Sequence, residues 1–326
     1  MIAGRNTGAQ APAVSAIDRA GPAPAGPAAR RPAGRGSLGR ALRRDLGAYA
    51  FLFPYLLAFV LFTVIPVVFG LYVSLHKWSE VNGDQGFVGL HNYTTLLSGS
   101  GYYGTEFYTS MANTLIFVVI SVPFLWAIPT GLAYLVAQAP VKQLWRILFF
   151  YPAVFSASAF GTIWSYLLAT NGGSVNSLFH VNIQWLTAMP DAWIAIDLAT
   201  IWATMGFNFI IMYAGITQIP KATIEAAQID GAGSWTRLRR VVLPQVRPVS
   251  VVVVVIATIA SFNLFVQDLV MTNGGPGTST DTITMTIYQE AFNSFNAGTA
   301  TAMAFLLAVV LAVIALLQYR FASRRS

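Results

Sequence analysis

Gln218-Ile-Pro-Lys-Ala-Thr-Ile-Glu-Ala-Ala-Gln-Ile-Asp-Gly231-Ala-Gly-Ser-Trp-Thr-Arg-Leu-Arg-Arg-Val-Val-Leu-Pro244 is the stretch on which the reading of this chain turns. Pro220 suits the first helical position, where its missing N–H is not needed. Lys221 to Asp230 is helix-forming, and Gly231 suits the left-handed backbone that ends a helix. Ser234 reads as the N-cap of a second helix, Trp235 to Val242, and Pro244 as its stop. The stretch therefore predicts two short helices joined by a tight turn. Lys221 and Glu225 are one turn apart, but in the weaker order for pairing, which leaves Glu225 available to an external cation. Two roles fit these residues: an amphipathic hairpin lying on a bilayer, and an element that docks on another protein.

The flanks decide that a bilayer is present. Of the 326 residues, 56% are hydrophobic and 10% charged, against about 25% charged in soluble domains. Six apolar segments reach the roughly 20 residues needed to cross a membrane, at about 49–75, 111–137, 147–169, 193–216, 249–271 and 300–319. Asn171-Gly172-Gly173 marks a turn between the third and the fourth. Pro54, Pro66, Pro123 and Pro129 lie inside spans, where neighbouring helices can satisfy the carbonyls they free. Of the 19 basic residues, Lys77 alone falls in a loop of the side that carries Glu80, Asp84, Glu106, Asp191, Asp281 and Glu290. The positive-inside rule then puts both termini in the cytoplasm. This sorting accounts for the net charge of +7 without nucleic acid. Residues 1–45, rich in Ala, Pro, Gly and Arg, read as a disordered basic tail. Residues 46–326 read as the transmembrane domain, with the quoted stretch inside its inner loop 217–247. The fold class is an all-α integral membrane protein of six transmembrane helices.

Enzymatic chemistry finds no constellation. Lys77, Lys142 and Lys221 are not preceded by the glycine of a phosphate-binding loop, and His76, His91 and His180 form no HExxH. There is no GxSxG nucleophile, and the absence of cysteine excludes disulfides and thiolate metal sites. No metal, cofactor or catalytic residue is expected in this chain. Asp197 and Asp268 lie near the outer ends of their spans, where interfacial solvation, or failing that a contact with substrate, accounts for them. A proton- or sodium-coupled carrier concentrates ionisable groups deep in the bundle, so that alternative is the weaker one.

Glu225-Ala226-Ala227, Gly231 and Val241-Val242-Leu243-Pro244 resemble the EAA loop of binding-protein-dependent ABC importers, with Val241 where that family carries isoleucine. Gly89-Leu-His-Asn-Tyr93, Asn113-Thr114-Leu115, Thr272-Asn-Gly-Gly-Pro-Gly277, Ile287-Tyr288 and Ala291-Phe292 are similar to its sugar-importing members. The resemblance covers roughly residues 48–320. It implies a type I ABC-importer permease bundle in the cytoplasmic membrane, paired with a homologous second permease. It also implies two copies of an ATPase subunit that hold ATP and magnesium, and an external solute-binding protein. Glu225, Ala226, Ala227, Asp230, Gly231, Leu243 and Pro244 would then form the element that couples to the ATPase.

A substrate site is expected at mid-membrane, where transporter sites concentrate. Spans four and five place Trp202, Thr204, Phe207, Asn208, Thr258, Ser261, Asn263 and Gln267 there. The rings suit the face of a sugar; the polar groups suit hydroxyls or helix–helix hydrogen bonds. Ser261 stands where maltose-type importers have an asparagine. No span contains Lys or Arg to grip a phosphate, which favours a neutral di- or oligosaccharide over glycerol phosphate or another polar solute of the same family.

Overall fold

A computed structural model describes residues 51–323. The tail expected over 1–45, together with Arg324 and Arg325, lies outside the described residues. The chain divides into two units, Met1–Leu61 and Phe62–Ser326. In the first, the described residues are helical, and Tyr55 stacks on Phe59 with ring centroids 6.3 Å apart. Phe51–Ser74 is the first crossing segment, and its part Ile65–Ser74 is α1 of the larger unit.

After α1 come a two-stranded antiparallel hairpin, β1 (His76–Ser79) and β2 (Gly83–Phe87), and the short α2 (His91–Leu97). α3 (Gly101–Gln138) is the longest helix, and it starts ten residues before the expected second span. Glu106 and the polar residues around it therefore stand on its acidic-side extension rather than in a loop. α4 (Lys142–Phe150), a 3-10 turn at Tyr151–Val154 and α5 (Ala157–Leu167) make up the third segment. α6 (Ser174–Phe179) precedes α7 (Asp191–Thr217), the fourth. α8 (Lys221–Ile229) and α9 (Ser234–Gln245) are the two helices of the quoted stretch. Beyond them lie α10 (Arg247–Phe262), α11 (Val266–Met271), α12 (Ile283–Tyr288) and α13 (Ala297–Ser323). Among the described residues, four helices are long and apolar enough to cross a bilayer, and counting each of two bent pairs as one segment makes six.

Three expectations need correction. The third segment is not a straight span: its halves meet at 94°. Pro152 has no N–H to continue α4, Phe155 and Ser156 are extended, and the Ser156 hydroxyl caps α5 by accepting from the Ala159 N–H at 3.3 Å. The fifth span does not run from 249 to 271. It turns by 80° between α9 and α10, where Val246 leaves helical geometry and Pro248 opens the next helix. It then stops at Phe262, where the Asn263 side chain donates back to the Ile259 carbonyl at 2.8 Å and competes with the backbone ladder. Finally, Pro244 does not stop the second helix of the quoted stretch; it sits at the start of the closing turn of α9, which runs on to Gln245.

α3 and α7 form the main helix pair, with α10 packed against α3. α13 packs against α1, α10 and α12. Gly206 lets α7 approach the end of α4: a Cβ there would stand 2.6 Å from the Phe149 carbonyl oxygen, the close approach that small residues permit in membranes.

The two carboxylates assigned to interfacial solvation are instead buried. Asp197 accepts a hydrogen bond from Ser121 of α3. Asp268 organises the turn that follows α11. It accepts from the hydroxyls of Thr272, Thr280 and Thr282 at 3.0–3.3 Å and from the N–H groups of Gly274 and Thr282, each at 3.1 Å. Asn113 of α3 donates to the Thr278 and Asp281 carbonyls of the same turn, and the Thr114 hydroxyl accepts from the Ile283 N–H. Two stretches that are distant in sequence, 113–114 and 278–283, are thereby joined in space. Burial, together with repulsion from Asp268, pushes the Asp281 carboxyl up to about 6; burial and then Glu106 raise that of Glu290.

Asp268→Ala removes the acceptor of the Gly274 and Thr282 N–H groups and leaves these two buried donors unpaired, at about 1–3 kcal/mol each where no water replaces the carboxylate. A clear fall in the midpoint of thermal unfolding in detergent is expected. Glu80→Ala, at an exposed position, should leave the midpoint unchanged.

Candidate functional site

A cavity of about 450 Å³ opens where α3, the bent α4–α5 segment, α7 and α10 converge. Its polar lining comes from Thr200, Thr204 and Asn208 of α7, from Ser261 of α10, and from Asn263 and Gln267 around the break that follows. Phe117, Phe150, Phe155, Phe160 and Phe207 supply rings. No Asp, Glu, Lys or Arg belongs to the lining.

Six of the eight expected residues meet here: Thr204, Phe207, Asn208, Ser261, Asn263 and Gln267. The other two are outside the lining. Trp202 packs on Phe155 and Trp164, with ring centroids at 6.0 and 6.1 Å. Thr258 faces α13, where its hydroxyl accepts from Gln318 at 2.9 Å; it lies three residues from Ser261, far enough round α10 to miss the cavity.

Asn208 also has a structural task. Its side-chain amide donates to the Leu125 carbonyl at 2.9 Å. That carbonyl would accept from residue 129 in an uninterrupted helix, and residue 129 is Pro129, inside α3. The carbonyl freed by the proline is thus satisfied from a neighbouring helix. Two hydroxyls in the lining, those of Thr200 and Ser261, are buried with no partner among the described residues. Sequence reasoning missed Thr200, although the series Thr200, Thr204, Asn208 repeats every four residues on one face of α7. Phe150, Phe155 and Phe160 carried no such signal, because the bend brings them in.

The quoted stretch forms a second functional surface. α8 begins just after Pro220, which stands at the N-cap rather than inside the helix. Gly231 has φ +76°. Its N–H bonds to the Gln228 carbonyl and that of Ala232 to the Ala227 carbonyl, each at 3.0 Å, the paired bonds of a Schellman ending. Ser234 is the first residue of α9, and Gly233 occupies the cap position expected for it. Ile224 packs onto the core formed by Phe209 and Met212 of α7, Tyr134 of α3, and Leu238 and Val242 of α9. The Tyr134 hydroxyl donates to the Ser234 carbonyl at 3.0 Å. One side of α8 is thereby fixed to the bundle, while Glu225, Ala226, Asp230 and Gly231 are exposed. Ala227 and Leu243 are half-buried and Pro244 is exposed.

Residues 94–326 match the family described as binding-protein-dependent transport system inner membrane component. The chain belongs to this family. It is a multi-pass permease of the inner membrane and not itself an enzyme. The permease is 30% identical, over 85% of its own length and 94% of the relative's, to a probable starch degradation products transport system permease protein, AmyD, of Thermoanaerobacterium thermosulfurigenes. It is 28% identical to the sn-glycerol-3-phosphate transport system permease protein UgpA of Agrobacterium fabrum, over 66% and 76% of the respective lengths. Its fold matches a chain of a bacterial ABC transporter that imports the acidic polysaccharide alginate, with a TM-score of 0.76 at 24% identity, covering 88% of the permease and 99% of that chain.

The link between Asn208 and Pro129 makes a reciprocal prediction. Asn208→Leu should lower the thermal midpoint, because the Leu125 carbonyl loses its donor at a cost of about 1–3 kcal/mol. Adding Pro129→Ala should restore much of the loss, because residue 129 regains its backbone N–H. Equal midpoints for the single and double variants would contradict this assignment.

Proposed function

We propose that this permease conducts a neutral di- or oligosaccharide into the cytoplasm through the cavity between α3, α7 and α10. The observation that carries the reading is the lining itself: aromatic rings beside amides and hydroxyls, with no charged side chain. Rings pack against the apolar faces of sugars, and unpartnered hydroxyls such as those of Thr200 and Ser261 gain bonds from a polyol. The volume falls within the roughly 300–1,000 Å³ typical of ligand pockets. AmyD is named for starch degradation products, which supports the same class. Glycerol phosphate, for which UgpA is named, would need cations that this lining does not offer; a partner permease would have to supply them.

In this reading a homologous second permease completes the pathway, and an external binding protein delivers the sugar. Two ATPase subunits bind ATP and magnesium ion beneath the basic end. α8 inserts into a cleft of the ATPase, with Glu225 on its exposed side and Gly231 setting the turn behind it. Closure of the ATPase pair draws the two coupling helices together and opens the bundle outward. Hydrolysis of ATP on the ATPase subunits resets it.

Ser261→Leu fills the cavity without touching α8. It should cut sugar uptake about tenfold or more, equivalent to ~1.4 kcal/mol, while basal ATPase activity of the assembled importer persists. Glu225→Lys should abolish uptake and reduce ATPase retention during purification, with the cavity unaltered. Normal uptake by both variants would place the pathway and the coupling element elsewhere.

The orientation has its own test, since the chain has no cysteine. A cysteine at Thr278 should react with an impermeant reagent in intact cells. A cysteine at Ser234 should react only after the membrane is opened. The opposite pattern would invert the proposed topology.

A further inference from the structure

A second cavity, of about 340 Å³, lies between α8 and the ends of α3 and α7. It shares no lining residue with the first. Ile216, Ile224 and Val242 form its apolar wall. Lys142, the first residue of α4, and Lys221, the first residue of α8, both line it. Neither lysine has a hydrogen-bond or ion-pair partner among the described residues. Glu225 is the one carboxylate of the lining, so two lysines stand against one acid.

We propose that this cavity binds the phosphodiester headgroup of an anionic phospholipid. Three features of the site agree. Its net charge balances one negative charge, which a phosphodiester carries; a phosphate dianion would leave an excess facing Glu225. Both lysines begin helices of nine residues that have no side-chain cap and no acid in the first turn, so unsatisfied N–H groups and the positive ends of two helix dipoles add to the lysine charges. The cavity is level with the ends of two crossing helices, Gln138 of α3 and Thr217 of α7. That is headgroup depth, where basic pockets between helices recruit anionic lipids, and the apolar wall can take the glycerol and upper acyl region. A headgroup held by Lys142 and Lys221 would tie α8 to the bundle through Lys221, at the start of the helix and beside Ile224. The anionic lipid content of the membrane would then set how firmly the coupling helix is held.

The test uses the assembled importer with Thr217→Cys in this chain, reconstituted in vesicles. Thr217 lines the cavity, and its hydroxyl bonds only within its own helix. The rate of maleimide modification of this chain, read by mass spectrometry, is compared in phosphatidylcholine, in phosphatidylcholine with phosphatidylglycerol, and in phosphatidylcholine with soluble dimethyl phosphate. Phosphatidylglycerol should slow modification several-fold, and dimethyl phosphate should not. Lys142→Gln and Lys221→Gln should each weaken the protection about fivefold, the equivalent of ~1 kcal/mol per basic residue at an anionic surface. Rates independent of phosphatidylglycerol, or protection that survives both substitutions, would overturn the proposal. Protection by dimethyl phosphate equal to that by the lipid would overturn the lipid assignment. A cysteine closed to the reagent in every condition would mean that the ATPase subunit fills the cavity, which overturns it as well.

Discussion

A backbone carbonyl freed inside a bilayer has no water to turn to, and the protein must supply its partner. This chain breaks or kinks its helices at several points, and the partners it supplies set how the helices sit. Pro129 frees the Leu125 carbonyl, and Asn208 reaches it from α7. α10 ends at Phe262, where the hydroxyls of Thr284 and Thr282 donate to the Phe262 and Leu264 carbonyls at 3.1 and 2.8 Å. Thr282 is in turn held by Asp268. The register of α3 against α7, and of the acidic-end turn against α10, is thus written in hydrogen bonds to interrupted backbone. Apolar packing alone would fix it less sharply, since lipid tails are as apolar as the side chains they compete with.

The same interruptions make room. A straight third segment would pack along α7; the 94° bend instead turns Phe150, Phe155 and Phe160 towards one space. The break after Phe262 lets Asn263 and Gln267 face that space too. α7 lines the cavity with Thr200 to Asn208 at mid-helix and leads through Gln218, Ile219 and Pro220 directly into α8. Phe209 and Met212 of α7 share one core with Ile224, Leu238 and Val242. Displacement of α8 by an external protein therefore acts on the helix that carries half of the polar lining.

Much of this was legible in the sequence, and for identifiable reasons. Charge sorting and apolar length located the crossing segments, because the bilayer filters composition over some twenty residues at a time. Gly231 announced its left-handed turn because few other residues tolerate one. Depth in the membrane and shared helical faces grouped Thr204, Asn208 and Ser261, and all three line the cavity. The bends were not legible: Pro152 and Pro248 signal an interruption, but only tertiary packing decides whether a proline kinks a span or folds it over. The buried states of Asp197 and Asp268 were missed because their partners, Ser121 and the 272–282 turn, are distant in sequence or lie in a loop. Thr258 was placed in the cavity by depth, yet its position round α10 points it to Gln318, and Trp202 is held by Phe155 and Trp164.

The account stands most directly on transport by the reconstituted importer. The permease, its partner permease, the ATPase pair and the binding protein are placed in proteoliposomes, and radiolabelled maltotriose and glycerol 3-phosphate are offered separately. The account predicts that the neutral oligosaccharide accumulates above its external concentration, and only with ATP on the ATPase side and the binding protein on the other. Accumulation of glycerol 3-phosphate alone, or equilibration of the sugar without ATP, would contradict it.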